Sequence, residues 1–114
     1  MSITQIWGKK TFSDRLLVWA REALNKLNEI EEFIATNNPE RAESFIDYLI
    51  SQGESIVLNP QIGRSIPEIS DPEIREIIAK KYRIVYKVTH EQIEILTVFE
   101  GHKLLRIDEL IIDL

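Results

Sequence analysis

The apolar pattern of this chain changes period once, at Asn59-Pro60, and that change decides the fold class. Before it, Ala42, Phe45, Ile46, Leu49, Ile50, Gly53, Ile56 and Val57 recur at offsets of three and four, which makes one continuous helical stripe. Glu40, Glu43, Asp47 and Glu54 fall on the opposite, solvated side. After it, residues 81–88 alternate. Tyr82, Ile84, Tyr86 and Val88 point one way, and Lys81, Arg83, Val85 and Lys87 the other. That is the pattern of a half-buried strand with a cationic outer face. A chain whose first half offers helical stripes and whose second half offers strand faces is expected to be α+β, with helices packed on one face of a sheet.

The remaining elements fit this frame. Arg15-Leu16-Leu17-Val18-Trp19 reads as a short, nearly apolar strand. Glu22 to Thr36 follows as a helix with Ala23, Leu24, Leu27, Ile30, Phe33 and Ile34 on its apolar side. Asn37-Asn38-Pro39 ends that helix and starts the next, with Asn38 as N-cap and Pro39 at the first helical position. The tight turn makes the two helices a hairpin. Thr89-His90-Glu91-Gln92 turns the chain between the strand at 81–88 and a returning strand at 93–99, and Ile74 to Lys80 supplies a further strand. The expected architecture is an N-terminal strand, then a helical hairpin packed on a small, mainly antiparallel sheet.

At 114 residues the chain supports one core, so a single domain over 1–114 is expected, with 1–12 as an N-terminal extension. No apolar run approaches the length a membrane span needs, and the first residues lack the basic-then-apolar pattern of a signal peptide. A cytoplasmic location is therefore expected. The absence of cysteine excludes disulfides, thiol catalysis and thiolate metal sites. Two histidines at unrelated positions, His90 and His102, make no metal site, and no cofactor is expected.

The net charge of −5 is unevenly spread. Residues 21–58 carry −5 and the tail 107–114 carries −3, whereas 59–106 carries +1 and the first twenty residues +2. A dedicated nucleic-acid binder is usually basic overall, because phosphate neutralisation drives its affinity. Any polyanion site here must be a local cationic face on an acidic body. A basic protein partner suits the acidic surface equally well.

Several motifs, taken in order, carry a family resemblance. Asn59-Pro60 and Gly63-Arg64 form a turn with a basic residue. Ile66-Pro67-Glu68-Ile69 and Ile74-Arg75-Glu76-Ile77 follow, then Tyr82-Arg83-Ile84-Val85-Tyr86 and Ile93 to His102. With the helix segment Ala23 to Ala42, this order resembles the RelE/ParE superfamily of toxins from type II toxin–antitoxin (plasmid stabilisation) systems, over about Arg15 to Arg106. The resemblance implies an antitoxin partner whose disordered segment wraps the toxin, and assembly as a homodimer or as a heterotetramer with the antitoxin. It also implies one of two targets. ParE-like members inhibit DNA gyrase without cleaving RNA, and RelE-like members cut mRNA on the ribosome. A third class keeps the fold as a non-toxic protein-binding domain.

On the RelE/YoeB-like alternative, the resemblance implies a ribonuclease triad of Glu68 as base, Arg83 on the scissile phosphate and His102 as terminal histidine. Such chemistry needs a base at the 2′-hydroxyl, a cation on the phosphate and an acid for the leaving oxygen. Each residue also has a structural reading. Glu68 follows a Gly-Arg turn that ParE-like members share. Arg83 can pair with Glu94 or Glu100 on the neighbouring strand. His102 reads as a surface histidine at a strand end, and His90 has no assigned role. Arg64, Arg75, Lys81, Arg83, Lys87 and Lys103 form the candidate partner-binding face, with Arg64 also able to pair with Glu68 or cap a helix. Tyr82 and Tyr86 read as core residues whose hydroxyls reach the rim. Trp19 ends a buried strand, and Trp7 is a candidate anchor for a partner. Three departures set the chain apart from the family pattern: the acidic balance, Glu100-Gly101-His102-Lys103 where relatives have His-Gly and arginines, and the apolar, acidic tail from Ile107 to Leu114. The poverty of basic residues, the acidic helices and that tail weigh against ribosomal docking and favour the ParE side.

Overall fold

The helical hairpin lies on one face of a six-stranded sheet in a computed structural model that describes residues 9–10 and 15–101. The strands are β1 (Lys9–Lys10), β2 (Leu16–Trp19), β3 (Arg64–Ser65), β4 (Ile74–Ala79), β5 (Tyr82–Val88) and β6 (Gln92–Glu100), and the helices are α1 (Arg21–Ala35) and α2 (Pro39–Ser55). Across the sheet the order is β1-β2-β6-β5-β4-β3. Every neighbouring pair is antiparallel except β2 with β6, which run parallel. The helical hairpin between β2 and the later strands allows that parallel pairing, since a parallel neighbour needs a long crossover. The α+β architecture and the N-terminal strand are as the sequence predicts. Trp7 and the rest of the extension outside Lys9–Lys10, together with His102, Lys103 and the tail, lie outside the described residues.

The helix boundaries follow local chemistry. Asn38 takes extended backbone, and its side-chain oxygen accepts the Arg41 N–H at 3.1 Å, with Pro39 in the first turn of α2. Leu49 and Ile56 are fully buried, and Gly53 lets α2 approach the strand below. A Cβ at Gly53 would stand 2.6 Å from the Trp19 ring, so glycine here is what allows the indole to pack this close to the helix. The stripe has one exception. Phe33, expected on the apolar side of α1, is 73% exposed in the last turn of α1.

The expected cationic outer face of β5 is corrected more deeply. Val85 is completely buried and Arg83 is 6% exposed. The helix side of the sheet carries the main core of Leu17, Trp19, Leu49, Ile84, Tyr86, Ile93 and their neighbours. The other side carries a second, smaller core in which Ile66 and Ile69 fold back onto Ile74, Val85 and Leu96, with Phe99 against it. β5 is thus sandwiched over most of its length, and only Lys87 of its residues is half-buried. An irregularity in the β5–β6 pairing sharpens this. Val85 pairs with Thr97 and Tyr86 with Ile95, which leaves Leu96 as the extra residue of a bulge. Leu96 then belongs to the second core while Ile95 and Val98 serve the first.

Candidate functional site

Glu76 is the centre of the candidate site. It lies on β4 facing away from the helices, and its side chain has no solvent exposure. A buried carboxylate must be paired and hydrogen-bonded to be tolerated. Two arginines do this. Arg83 Nε donates to Oε1 at 2.6 Å and Arg64 Nε donates to Oε2 at 2.7 Å, so each oxygen accepts one charged hydrogen bond. The far edge of the Arg83 guanidinium lies 3.7 Å from a Glu68 oxygen, and its central carbon stands 4.8 Å from the centre of the Phe99 ring. The Arg83 side chain is 8% exposed and that of Arg64 66%, so only Arg64 presents its charge to solvent.

A second set of contacts fixes the turn that carries Arg64. The Tyr86 hydroxyl donates to the Pro60 carbonyl at 2.8 Å and accepts the Gly63 N–H at 2.9 Å. Burial pushes the Tyr86 hydroxyl up, opposed in part by the Gly63 N–H and by the charge of Arg75, so it stays protonated and able to donate at neutral pH. Arg75 Nη1 reaches across to donate to the Gly63 carbonyl at 2.8 Å. A Cβ at residue 63 would stand 2.7 Å from the Glu76 carbonyl oxygen, so the turn passes too close to β4 for any larger residue.

The sequence-derived residues therefore divide. Glu68 and Arg83 are brought together, whereas His102 and Lys103 lie outside the described residues. Arg83 pairs with Glu76 and Glu68, and Arg64 with Glu76 in place of the expected Glu68. Arg75 serves the turn. Lys81 is exposed in the β4–β5 turn, and Lys87 is half-buried with its ammonium 4.0 Å from Glu73. Glu94 pairs across the strands with Lys87, and burial pushes its carboxyl up against the attraction of that lysine. Among the described residues no group of three or more histidine or acidic side chains could hold a metal ion. None of their helices is long and apolar enough to cross a membrane.

Glu76 was missed in the sequence. Its signal was the hairpin turn at Lys80-Lys81, which pairs Ala79 with Tyr82, Ile78 with Arg83 and Glu76 with Val85. That register puts Glu76 and Arg83 on one face as diagonal neighbours, within reach of long side chains.

The arrangement is a sheet face closed by a loop and stapled through buried charge, on the helical-hairpin architecture that the resemblance to RelE/ParE toxins implies. The model of the family described as the ParE toxin of the type II toxin–antitoxin system parDE matches residues 17–105, and the chain belongs to that family. Among solved structures, one titled as the chromosomal ParDE toxin–antitoxin system from P. aeruginosa superposes with a TM-score of 0.61 at 20% identity, over 72% of this chain and 90% of that one, and so shares its fold. A search of curated protein sequences gave no match.

Proposed function

We propose that this member of the ParE toxin family arrests growth by binding DNA gyrase and is neutralised by a cognate antitoxin. The observation that supports this over RNA cleavage is the state of Arg83. A phosphate-binding arginine must meet its phosphate, yet this guanidinium is buried, is bonded to Glu76 and lies beside Glu68. An approaching phosphate would face two carboxylates already disposed around the only cation of the triad within the described residues. Inhibition by binding asks less of these groups, since it needs a surface and no proton transfer.

Induced expression in bacteria separates the readings. Growth arrest with a DNA-damage response, together with loss of supercoiling activity when the purified chain is added to gyrase, is the expected result. Glu68→Gln and His102→Ala should both keep that toxicity. Ribosome-dependent mRNA cleavage that disappears in both variants would overturn the proposal in favour of the nuclease. Normal growth with folded protein would assign the chain to the non-toxic binding domains of this fold. The antitoxin part is tested by co-expression with the small protein encoded alongside: a stable complex is expected on purification, and failure to co-purify at micromolar concentration would refute it. Arg64 and Lys81, the exposed members of the cationic set among the described residues, are the residues we propose to face that partner.

A further inference from the structure

At the turn end of the helical hairpin, three cations meet around one cleft of about 460 Å³, within the size range of small-molecule sites. Arg41 comes from the start of α2, and Lys80 and Lys81 from the β4–β5 turn. The cleft has no carboxylate among its described lining residues, and none of the three cations forms an ion pair among the described residues. Its apolar lining is aromatic. The Phe45 and Tyr82 rings lie 5.5 Å apart, centre to centre, and Tyr48 follows 5.8 Å from Phe45. The Lys80 ammonium stands 5.0 Å from the centre of the Tyr48 ring, so it is held beside this row of rings by attraction to an aromatic face. Phe33, 73% exposed, completes the lining and offers an uncovered ring.

The charge of the site is directional. An adjoining cleft shares Phe33, Lys81 and Tyr82 and carries Glu29 and Glu100. Glu29 is answered by Lys26 at 3.9 Å. Glu100 is felt at Tyr82, whose hydroxyl is pushed up by burial and then by that charge. Arg41 and Lys80 therefore mark a basic end, and Glu100 an acidic one beyond Tyr82. A ligand that suits both ends carries an anion at one, hydrogen-bond donors at the other, and a flat body between them for Phe33. A single phosphate carries about −1.5 to −2 at pH 7, less than three cations can balance, so a diphosphate suits the basic end better. An exocyclic amino group is a donor that a carboxylate accepts.

We propose that this cleft binds a nucleoside diphosphate whose base carries an amino group. The diphosphate lies among Arg41, Lys80 and Lys81, the base stacks on Phe33, and its amino group is turned towards Glu100. The inference goes beyond the toxin's target and holds whichever that is.

Calorimetric titration of ADP into the purified full chain, free of antitoxin, tests it, with micromolar binding expected. Arg41→Glu and Lys80→Asn should each weaken binding about tenfold or more. Asparagine is the choice at residue 80 because Lys80 has φ 57°, a backbone region that asparagine accepts. Phe33→Ser should cost roughly tenfold, the loss of one base–aromatic stack. All three side chains are exposed, so these substitutions leave the fold intact. Pyrophosphate, which has no base, and UDP, whose base has no amino group, should both bind about tenfold more weakly than ADP. Absence of ADP binding at millimolar concentration would overturn the proposal. So would pyrophosphate or UDP binding as tightly as ADP, or ADP binding indifferent to Phe33→Ser or to both cation substitutions.

Discussion

Glu76→Leu is the perturbation that most directly tests the architecture of the site. The Glu76 side chain is wholly buried and that of Arg83 is 8% exposed, so removal of the carboxylate strands a guanidinium inside the protein. Breaking a buried pair from one side costs about 3–5 kcal/mol, far more than the net worth of the pair. Glu68, already 3.7 Å from Arg83, can close in and recover part of this, which places the expected loss near the lower end, about 3 kcal/mol. Arg64 adds little, because a side chain 66% exposed regains its hydration once released. Arg83→Met strands Glu76 in turn and should cost a similar amount. The double variant Glu76→Leu/Arg83→Met replaces the pair with apolar groups of like size, a change often close to neutral. Its loss should therefore fall below the sum of the single losses by roughly 2 kcal/mol or more. Urea unfolding of the four proteins, read as midpoint and slope, gives the cycle directly. Additive losses, or a Glu76→Leu loss under about 1 kcal/mol, would refute the reasoning and return Arg83 to the set of groups available to a ligand.

Other parts of the fold make equally specific demands. Leu49→Ala should lower stability by about 2–5 kcal/mol in urea, through lost burial plus a cavity beneath α2. Gly53→Ala gains helix propensity of about 1 kcal/mol but drives a methyl into the Trp19 ring, so a net loss of roughly 1–2 kcal/mol and a changed tryptophan emission spectrum are expected. Tyr86→Phe removes a donor to Pro60 and an acceptor from Gly63, and should cost about 1–3 kcal/mol, with faster amide exchange at Gly63. Burial raises the folded pKa of Glu94 above its unfolded value, so its contribution is most favourable below the ordinary carboxylate range and is lost as pH rises through the raised value. Glu94→Gln should therefore be more stable than the unaltered chain at neutral pH, and that advantage should vanish below about pH 4 in unfolding measured across pH.

The elements legible in the sequence are those set by local rules. The α2 stripe, the Asn38 cap and the Pro39 start depend on residues within a turn or two of each other, and each appears where the spacing puts it. The alternation of 81–88 was also legible: Tyr82, Ile84, Tyr86 and Val88 all belong to the main core. What lay on the other side of that strand was not. Alternation reports which residues share a face, but what covers the face is decided by chain far away, here Ile66 and Ile69 around Pro67. Lys81, Arg83 and Lys87 read as a solvated stripe because nothing local said that two isoleucines would return over Val85. For the same reason Arg83 read as a ligand group. Its true partner depends on the hairpin register through Lys80-Lys81, and one residue of slip would send Glu76 to the opposite face.

The 60–69 loop is consequently held from both faces of the sheet. From the helix side, Tyr86 rises to grip Pro60 and Gly63, with Arg75 on the same turn. From the other side, Glu76 fixes Arg64 and Arg83, and Ile66 and Ile69 pack over Val85. Cutting either tie alone leaves the other, so Tyr86→Phe and Glu76→Leu should each loosen the loop only in part. Their combination should loosen the Arg64 turn further, with Ile66 and Ile69 still packed over Val85 and Arg75 still bonded to Gly63. Arg64 is the charged group of this loop most open to solvent, and its position is set by both ties. A partner that reads Arg64 would then lose affinity in the combined variant by more than the two single losses together predict, even though neither substituted residue faces that partner. Calorimetric titration of the antitoxin against the three variants measures this directly. Losses that simply add would show that Arg64 is positioned by its own bond to Glu76 and owes nothing to the turn.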